Sequence, residues 1–121
     1  MKIILFLVVA IVISTQASAC EIWSSSRGSY IGSANGSNIW SNDSGSYVGS
    51  VNGANIWSNA SGDYAGNMSG NNVWSNARGA YVASVSGYNI YSSTGGGLIG
   101  SGSGSCSTSQ LGAAALLLLL K

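Results

Sequence analysis

Histidine is missing from this chain, and charge is scarce: four basic and three acidic side chains among 121 residues. These two shortages remove most enzymatic chemistry. Without imidazole, and with scattered acids and two distant cysteines, no catalytic triad, acid–base carboxylate pair or metal shell can be assembled from the sequence. The many serines have no base to activate them. Gly95-Gly96-Gly97 precedes neither a helix nor a Lys-Ser/Thr pair, so a phosphate loop is excluded as well. The expectation is a non-enzymatic protein with no cofactor. Nucleic-acid binding normally rests on a basic patch or stripe. Here Arg27 and Arg78 are the only cations between Lys2 and the terminal Lys121, so no nucleic-acid partner is expected.

Long apolar runs and a helical period are also lacking. The longest N-terminal run, Ile3 to Ile13, falls short of the ~18 residues of a membrane span, and Lys2 precedes it. With Ala17-Ser18-Ala19 fitting a small-residue cleavage site, residues 1–19 read as a secretory signal peptide, and the mature chain is expected to begin at Cys20. The competing reading of Ala17 to Cys20 as a lipoprotein signal matches loosely, because the usual leucine three before the cysteine is absent. Removal of the leader leaves Arg27, Arg78 and Lys121 against Glu21, Asp43 and Asp63, a neutral polypeptide with little electrostatic repulsion between copies.

What is present is a period. Trp23, Trp40, Trp57 and Trp74 fall 17 residues apart, each opening a copy of one unit. The copies run from Ile22 to Asn38, Ile39 to Asn55, Ile56 to Asn72, Val73 to Asn89, and, degraded, from Ile90 to Cys106. Gly/Ser-rich linkers do not hold Trp, Tyr and β-branched residues at fixed phase, so residues 20–106 read as a folded tandem domain. Each unit contains two β-type runs, such as Ile39-Trp40-Ser41 and Tyr47-Val48-Gly49-Ser50-Val51, separated by turn residues. The seventh and fifteenth positions are glycine in every copy, which predicts positive φ at both turns.

Two all-β arrangements accommodate such a unit. In a small β-solenoid each copy is one coil, and like positions stack in parallel; in an antiparallel meander or closed barrel each copy is a hairpin. Asn35-Gly36 and Asn52-Gly53 are hairpin signals. Against them stands the odd period, which flips the faces of an antiparallel array at each copy unless one bulge or odd loop is inserted per unit. The solenoid is therefore the leading expectation, with Asn38, Asn55, Asn72 and Asn89 stacked as an amide ladder. The rows Trp23/Trp40/Trp57/Trp74 and Tyr30/Tyr47/Tyr64/Tyr81 would line either core or surface. The slight preference is for an inward orientation, with Trp40 nested over the space at Gly49.

Cys20 and Cys106 bracket the array. In a secreted protein a disulfide is the default, yet five solenoid rises put the pair about 24 Å apart, beyond the ~7 Å reach of a bridge. An intramolecular bridge thus requires the array to curl into a ring or barrel; otherwise the cysteines join chains end to end. Residues 107–121 form a polar spacer and a short hydrophobic tail, Leu111 to Leu120, followed by Lys121. They read equally as a glycolipid-anchor signal, which would place the protein on a cell surface, and as a short docking helix. Sequons at Asn35, Asn42, Asn59 and Asn67 are glycosylation candidates, Asn42 and Asn59 being the better placed, at a predicted turn.

The stretch Ser86-Gly87-Tyr88-Asn89-Ile90-Tyr91 with Gly95-Gly96-Gly97, in an array of five copies, resembles the repeats of curlin fibre subunits. As a small secreted solenoid with Ser-rich rows the chain is also similar to insect antifreeze proteins. Both resemblances concern architecture and assign no functional residue. Three roles are expected of a secreted repeat protein of this kind. It is a structural or adhesive protein associating with itself, edge to edge or through disulfides; or it binds ice through flat Ile/Val/Ser rows; or, with its aromatic ladders outward, it binds a polysaccharide. A membrane is a partner only if the tail directs a lipid anchor.

Overall fold

The computed structural model of the protein describes residues 19–59 and 62–120; the leader assigned above, apart from Ala19, lies outside the described residues. Ten strands follow in order: β1 (Cys20–Ser24), β2 (Ser29–Asn35), β3 (Asn38–Ser41), β4 (Tyr47–Asn52), β5 (Asn55–Ser58), β6 (Tyr64–Ser69), β7 (Asn72–Ser75), β8 (Ala80–Ser86), β9 (Asn89–Ser92) and β10 (Leu98–Gly104). Each pairs antiparallel with its chain neighbours, and β1 pairs with β10, closing an up-and-down barrel. The solenoid is therefore corrected to the closed barrel. Like positions of successive copies are not adjacent, and the amide ladder goes with the solenoid: Asn38 faces Asn35 on one side and Ser50 on the other, not Asn55.

The parity problem of an odd repeat is solved by one β-bulge per copy. Ile22 is opposite Gly32 and Trp23 opposite Tyr30, which leaves Ile31 as the extra residue. Val48, Ala65, Val82 and Ile99 are skipped in the same way. A bulge places two residues against one, so the phase of the strand is restored before the next hairpin and the same face points inward all round. Ile22, Ile39, Ile56, Val73 and Ile90 consequently all face the interior and are 0% exposed. Full burial of such a side chain contributes roughly 1.5–3 kcal/mol.

Both turns are fixed by glycine. The short turn runs between opposed Asn35 and Asn38 and opens on Gly36 at φ 61°, as a two-residue hairpin turn beginning with Gly requires. The long turn brings the Gly45 amide, at φ 67°, onto the Ser41 carbonyl at 2.8 Å. The equivalent Ser24 and Ser75 are buried, and each hydroxyl accepts the amide hydrogen three residues on, from Arg27 and Arg78, at 3.2 Å.

The lumen is filled by the hydrophobic tail. Helix α1 (Thr108–Ala114) continues into a π-helical segment (Ala115–Leu119), and α1 touches β1, β2, β3, β4, β6, β7 and β8. Of the two readings of the tail, the structure has the docking helix, and the tail belongs to the same core as the repeats. Entry is at the short-turn rim. Ser107 caps α1, accepting from the Gln110 amide while the Gln110 side chain accepts from the Ser107 amide, and Gln110 Nε2 donates to the Gly36 carbonyl at 2.9 Å. Cys106, one residue earlier, is bonded to Cys20 at the start of β1, with Cα atoms 4.8 Å apart. Curling into a barrel thus brings the two ends of the array within bridging distance.

Wall and plug are complementary in volume. A Cβ on Gly32 would lie 2.6 Å from Leu118, on Gly49 2.6 Å from Leu117, on Gly66 2.8 Å from Leu116 and on Gly100 2.8 Å from Leu119. The space at Gly49 therefore holds Leu117, not Trp40. Successive leucines step from copy three to two, to one, to five. An α-helix turns about 100° per residue. Bonding to the fifth residue back, as the Leu120 amide does to the Ala115 carbonyl, lowers that rotation toward the one-fifth circle that separates copies.

Candidate functional site

The filled lumen leaves the aromatic rows outside. Trp40 and Trp57 are 39% and 41% exposed, and Tyr30 and Tyr81 46% and 47%. Trp23, Trp74, Tyr47 and Tyr64 are half-buried. The inward preference is thus corrected. The bulged register puts the Ile or Val preceding each Trp against the plug, and Trp, adjacent in a strand, must take the opposite face.

Each Trp meets the Tyr of its own copy across a strand pair. Ring centroids are 5.0 Å apart for Trp23–Tyr30, 5.5 Å for Trp40–Tyr47, 5.4 Å for Trp57–Tyr64 and 5.0 Å for Trp74–Tyr81. Interplanar angles of 57–81° make every pair tilted or edge-to-face, the arrangement favoured by ring quadrupoles. A perpendicular pair forms a corner, one ring as floor and the other as wall. On its other side each Trp is opposite a small polar residue of the preceding copy: Ser33 beside Trp40, Ser50 beside Trp57, Asn67 beside Trp74, and Ser101 beside Trp23. A belt results in which hydroxyl or amide, indole and phenol succeed one another round the barrel. The fifth copy departs from it, with Tyr91 and Leu98 in the places of Trp and Tyr.

Polar contacts hold the belt in place. Asn42, Asn59 and Asn76 donate through Nδ2 to the Tyr30, Tyr47 and Tyr64 carbonyls at 3.3, 3.2 and 3.5 Å, tying each long turn to the preceding copy. Asn67 Nδ2 donates to the Tyr64 hydroxyl at 2.6 Å. The sequon residues Asn42 and Asn59 are exposed, but their amide nitrogens are occupied in these ties. Asn35 is exposed at the short-turn rim and Asn67 is half-buried; Ala60 and Ser61 of the third sequon lie outside the described residues. Asn38, Asn55, Asn72 and Asn89 all sit exposed at the short-turn rim, and Cys20 and Cys106 are bonded to each other.

Electrostatics contribute little. Arg27 grips Asp43 of the next copy through two hydrogen bonds of 2.7 and 3.2 Å, both side chains exposed. That hydrogen bonding, with the attraction between the charges, lowers the Asp43 carboxyl below its ordinary range and raises the Arg27 guanidinium. Sequence reasoning located the aromatics but missed their Ser and Asn neighbours, because cross-strand partners depend on the bulged register. It also missed the tail leucines, whose signal is the glycine at the eleventh position of four copies.

Comparison with family models, with curated proteins and with solved structures returned no match to this chain.

Proposed function

We propose that this protein is a secreted, non-enzymatic carbohydrate-binding module that uses the Trp–Tyr corners as stacking platforms. The observation that carries the reading is the outward belt: four exposed or half-exposed indoles, each with a phenol wall and a neutral polar neighbour. Sugar rings present C–H faces suited to the negative face of an aromatic ring, and hydroxyl groups that pair with serine and amide side chains. The near-absence of charge fits a neutral glycan. Repetition of one corner around the wall fits a polymeric or clustered ligand, where linked weak sites gain avidity.

The other expected roles have less support. Ice binding through Ile and Val rows requires those side chains at the surface, and they line the core. Edge-to-edge assembly requires a free strand edge, whereas β1 and β10 pair with each other. Disulfide linkage of chains requires a free thiol, and Cys20 and Cys106 have none. The outward wall between the rings is Ser and Asn, the reverse of the apolar band of a membrane barrel, and strands of four to seven residues are shorter than the ~9–11 needed to span. The test is titration with chito- and cello-oligosaccharides, followed by tryptophan emission and calorimetry. Saturable quenching or a blue shift that weakens in Trp57→Ala is expected. Unchanged emission with every neutral oligosaccharide would overturn the proposal.

A further inference from the structure

Among the described residues, nothing closes the long-turn end of the barrel. A cavity of about 1050 Å³ lies there on the side of copies two to four. Its floor is the end of the plug, Leu116, Leu117 and Leu120, and its wall is formed by the bulge residues Val48, Ala65 and Val82. The recess centres on the third copy. Among the five bulge residues Ile31, Val48, Ala65, Val82 and Ile99, alanine is the smallest, and no larger plug residue fills the space it leaves.

That same copy carries two further departures from the unit. Asp63 stands where the remaining copies have Ser29, Ser46, Ala80 and Gly97; Asn67 stands where they have serine. Asp63 lies at the cavity, and Asn67 holds the hydroxyl of Tyr64, which lines it. The fourth copy contributes Arg78. Arg27, at the equivalent place in the first copy, is neutralised by Asp43 of the next one, whereas Arg78 is followed in that relation by Thr94. The cavity thus has an aliphatic floor and wall, two tyrosines, and a rim of serine and asparagine with one carboxylate and one guanidinium. Pockets of this size with an apolar lining and a few convergent polar groups are the usual form of a small-molecule site.

We infer that the long-turn mouth binds an uncharged single-chain amphiphile, its chain on the leucine floor against Ala65 and its hydroxylated head at the rim between Asp63 and Arg78. An ionic head would meet one like charge at the rim and lose hydration over the aliphatic floor, whereas a hydroxylated head pairs with the serine and asparagine side chains without that cost. The site shares Tyr47 and Tyr64 with two of the stacking corners, whereas its leucine floor and the Ala65 wall belong to it alone.

Calorimetry with three twelve-carbon probes below their micelle concentrations tests this: 1-dodecanoylglycerol, dodecanoate and dodecylammonium. One saturable site is expected, at least fivefold tighter for the glyceride than for either ion. Ala65→Ile, which installs the residue of the first and fifth copies, should weaken glyceride binding at least tenfold, with Ala65→Val intermediate and oligosaccharide binding unchanged. Arg78→Gln, at an exposed side chain, should shift preference severalfold toward dodecylammonium. Absence of saturable binding, equal affinity for an ion, or wild-type affinity in Ala65→Ile would overturn the inference.

Discussion

Replacing Gly49 by alanine places a methyl group against the carbonyl oxygen of Trp57 and 2.6 Å from Leu117 Cδ1, closer than non-bonded carbons tolerate. The strand or the plug must shift, and such overpacking costs about 1–3 kcal/mol. Leu117 is itself nearly buried, so Leu117→Ala removes packed methyl groups and costs about 3 kcal/mol. In a domain of this size that corresponds to a fall in Tm on the order of 12 °C or more. Because the two residues share one space, the costs should not add. Truncating Leu117 removes one of the two clashes made by the new methyl, so the double variant should be about 1 kcal/mol more stable than the sum of the single effects. The clash with the Trp57 carbonyl persists, so the double variant remains below wild type. Urea unfolding of the oxidised protein, followed by tryptophan emission, gives all four corners of the cycle. Leu118, which packs at Gly32, serves as the control: Gly49→Ala with Leu118→Ala should add simply. Additivity to within about 0.5 kcal/mol in the Leu117 cycle would refute the assignment of one plug leucine to one copy.

Two further outcomes follow from the ends and the rim. Reduction of Cys20–Cys106, whose partners are 86 residues apart, releases both the barrel seam and the plug entrance; a loop of that length implies a loss of about 4.5 kcal/mol, read as a lower Tm in dithiothreitol. Asp43, whose carboxyl is held low by Arg27, contributes stability above the ordinary carboxylate range that is lost as pH falls through its lowered value. Because the pair is fully exposed, Asp43→Asn should change the acid limb of a stability–pH profile only slightly, and not measurably in high salt.

Much of this was legible from the repeat. The all-β class and positive φ at Gly28, Gly36 and their equivalents follow from spacing alone, and both appear in the structure. The barrel was legible only as a condition: an odd antiparallel repeat needs a bulge, and a Cys20–Cys106 bridge needs a closed array. Neither condition can be checked by composition, since the bulge residues Ile31, Val48 and Val82 look like ordinary strand positions. Facing stayed open for the same reason. Shifting register by one residue at each bulge decides whether Trp or its neighbouring Ile points inward. The tail was separated from the repeats because its leucines have no period in common with them. Their partner is a column of glycines contributed by different copies, and that correspondence appears only when the chain is closed on itself.

Volume exchange between wall and plug also explains why irregular copies are informative. Where the wall is large the plug is small: a Cβ on Gly112 would strike Met68, the bulkiest residue of its row. Where the wall is small the plug is large: Gly102, in the equivalent row of the fifth copy, is covered by Leu111. The same step that carries the leucines from copy to copy points Ala115 back toward the fourth, where alanine, Ala83, replaces the glycine of the other wall positions; both are fully buried. Departures in these two layers are therefore met by an opposite change in the plug, as close packing of an interior requires. Ala65 is different. It is smaller than the isoleucine or valine of the other copies with no matching enlargement in Leu116, Leu117 or Leu120, and the mouth is deeper there by that volume. A matched change maintains the core, whereas an unmatched one leaves room for a molecule from outside. On that physical ground the third copy, rather than the better-kept second, is where the chain departs from simple repetition to make a site.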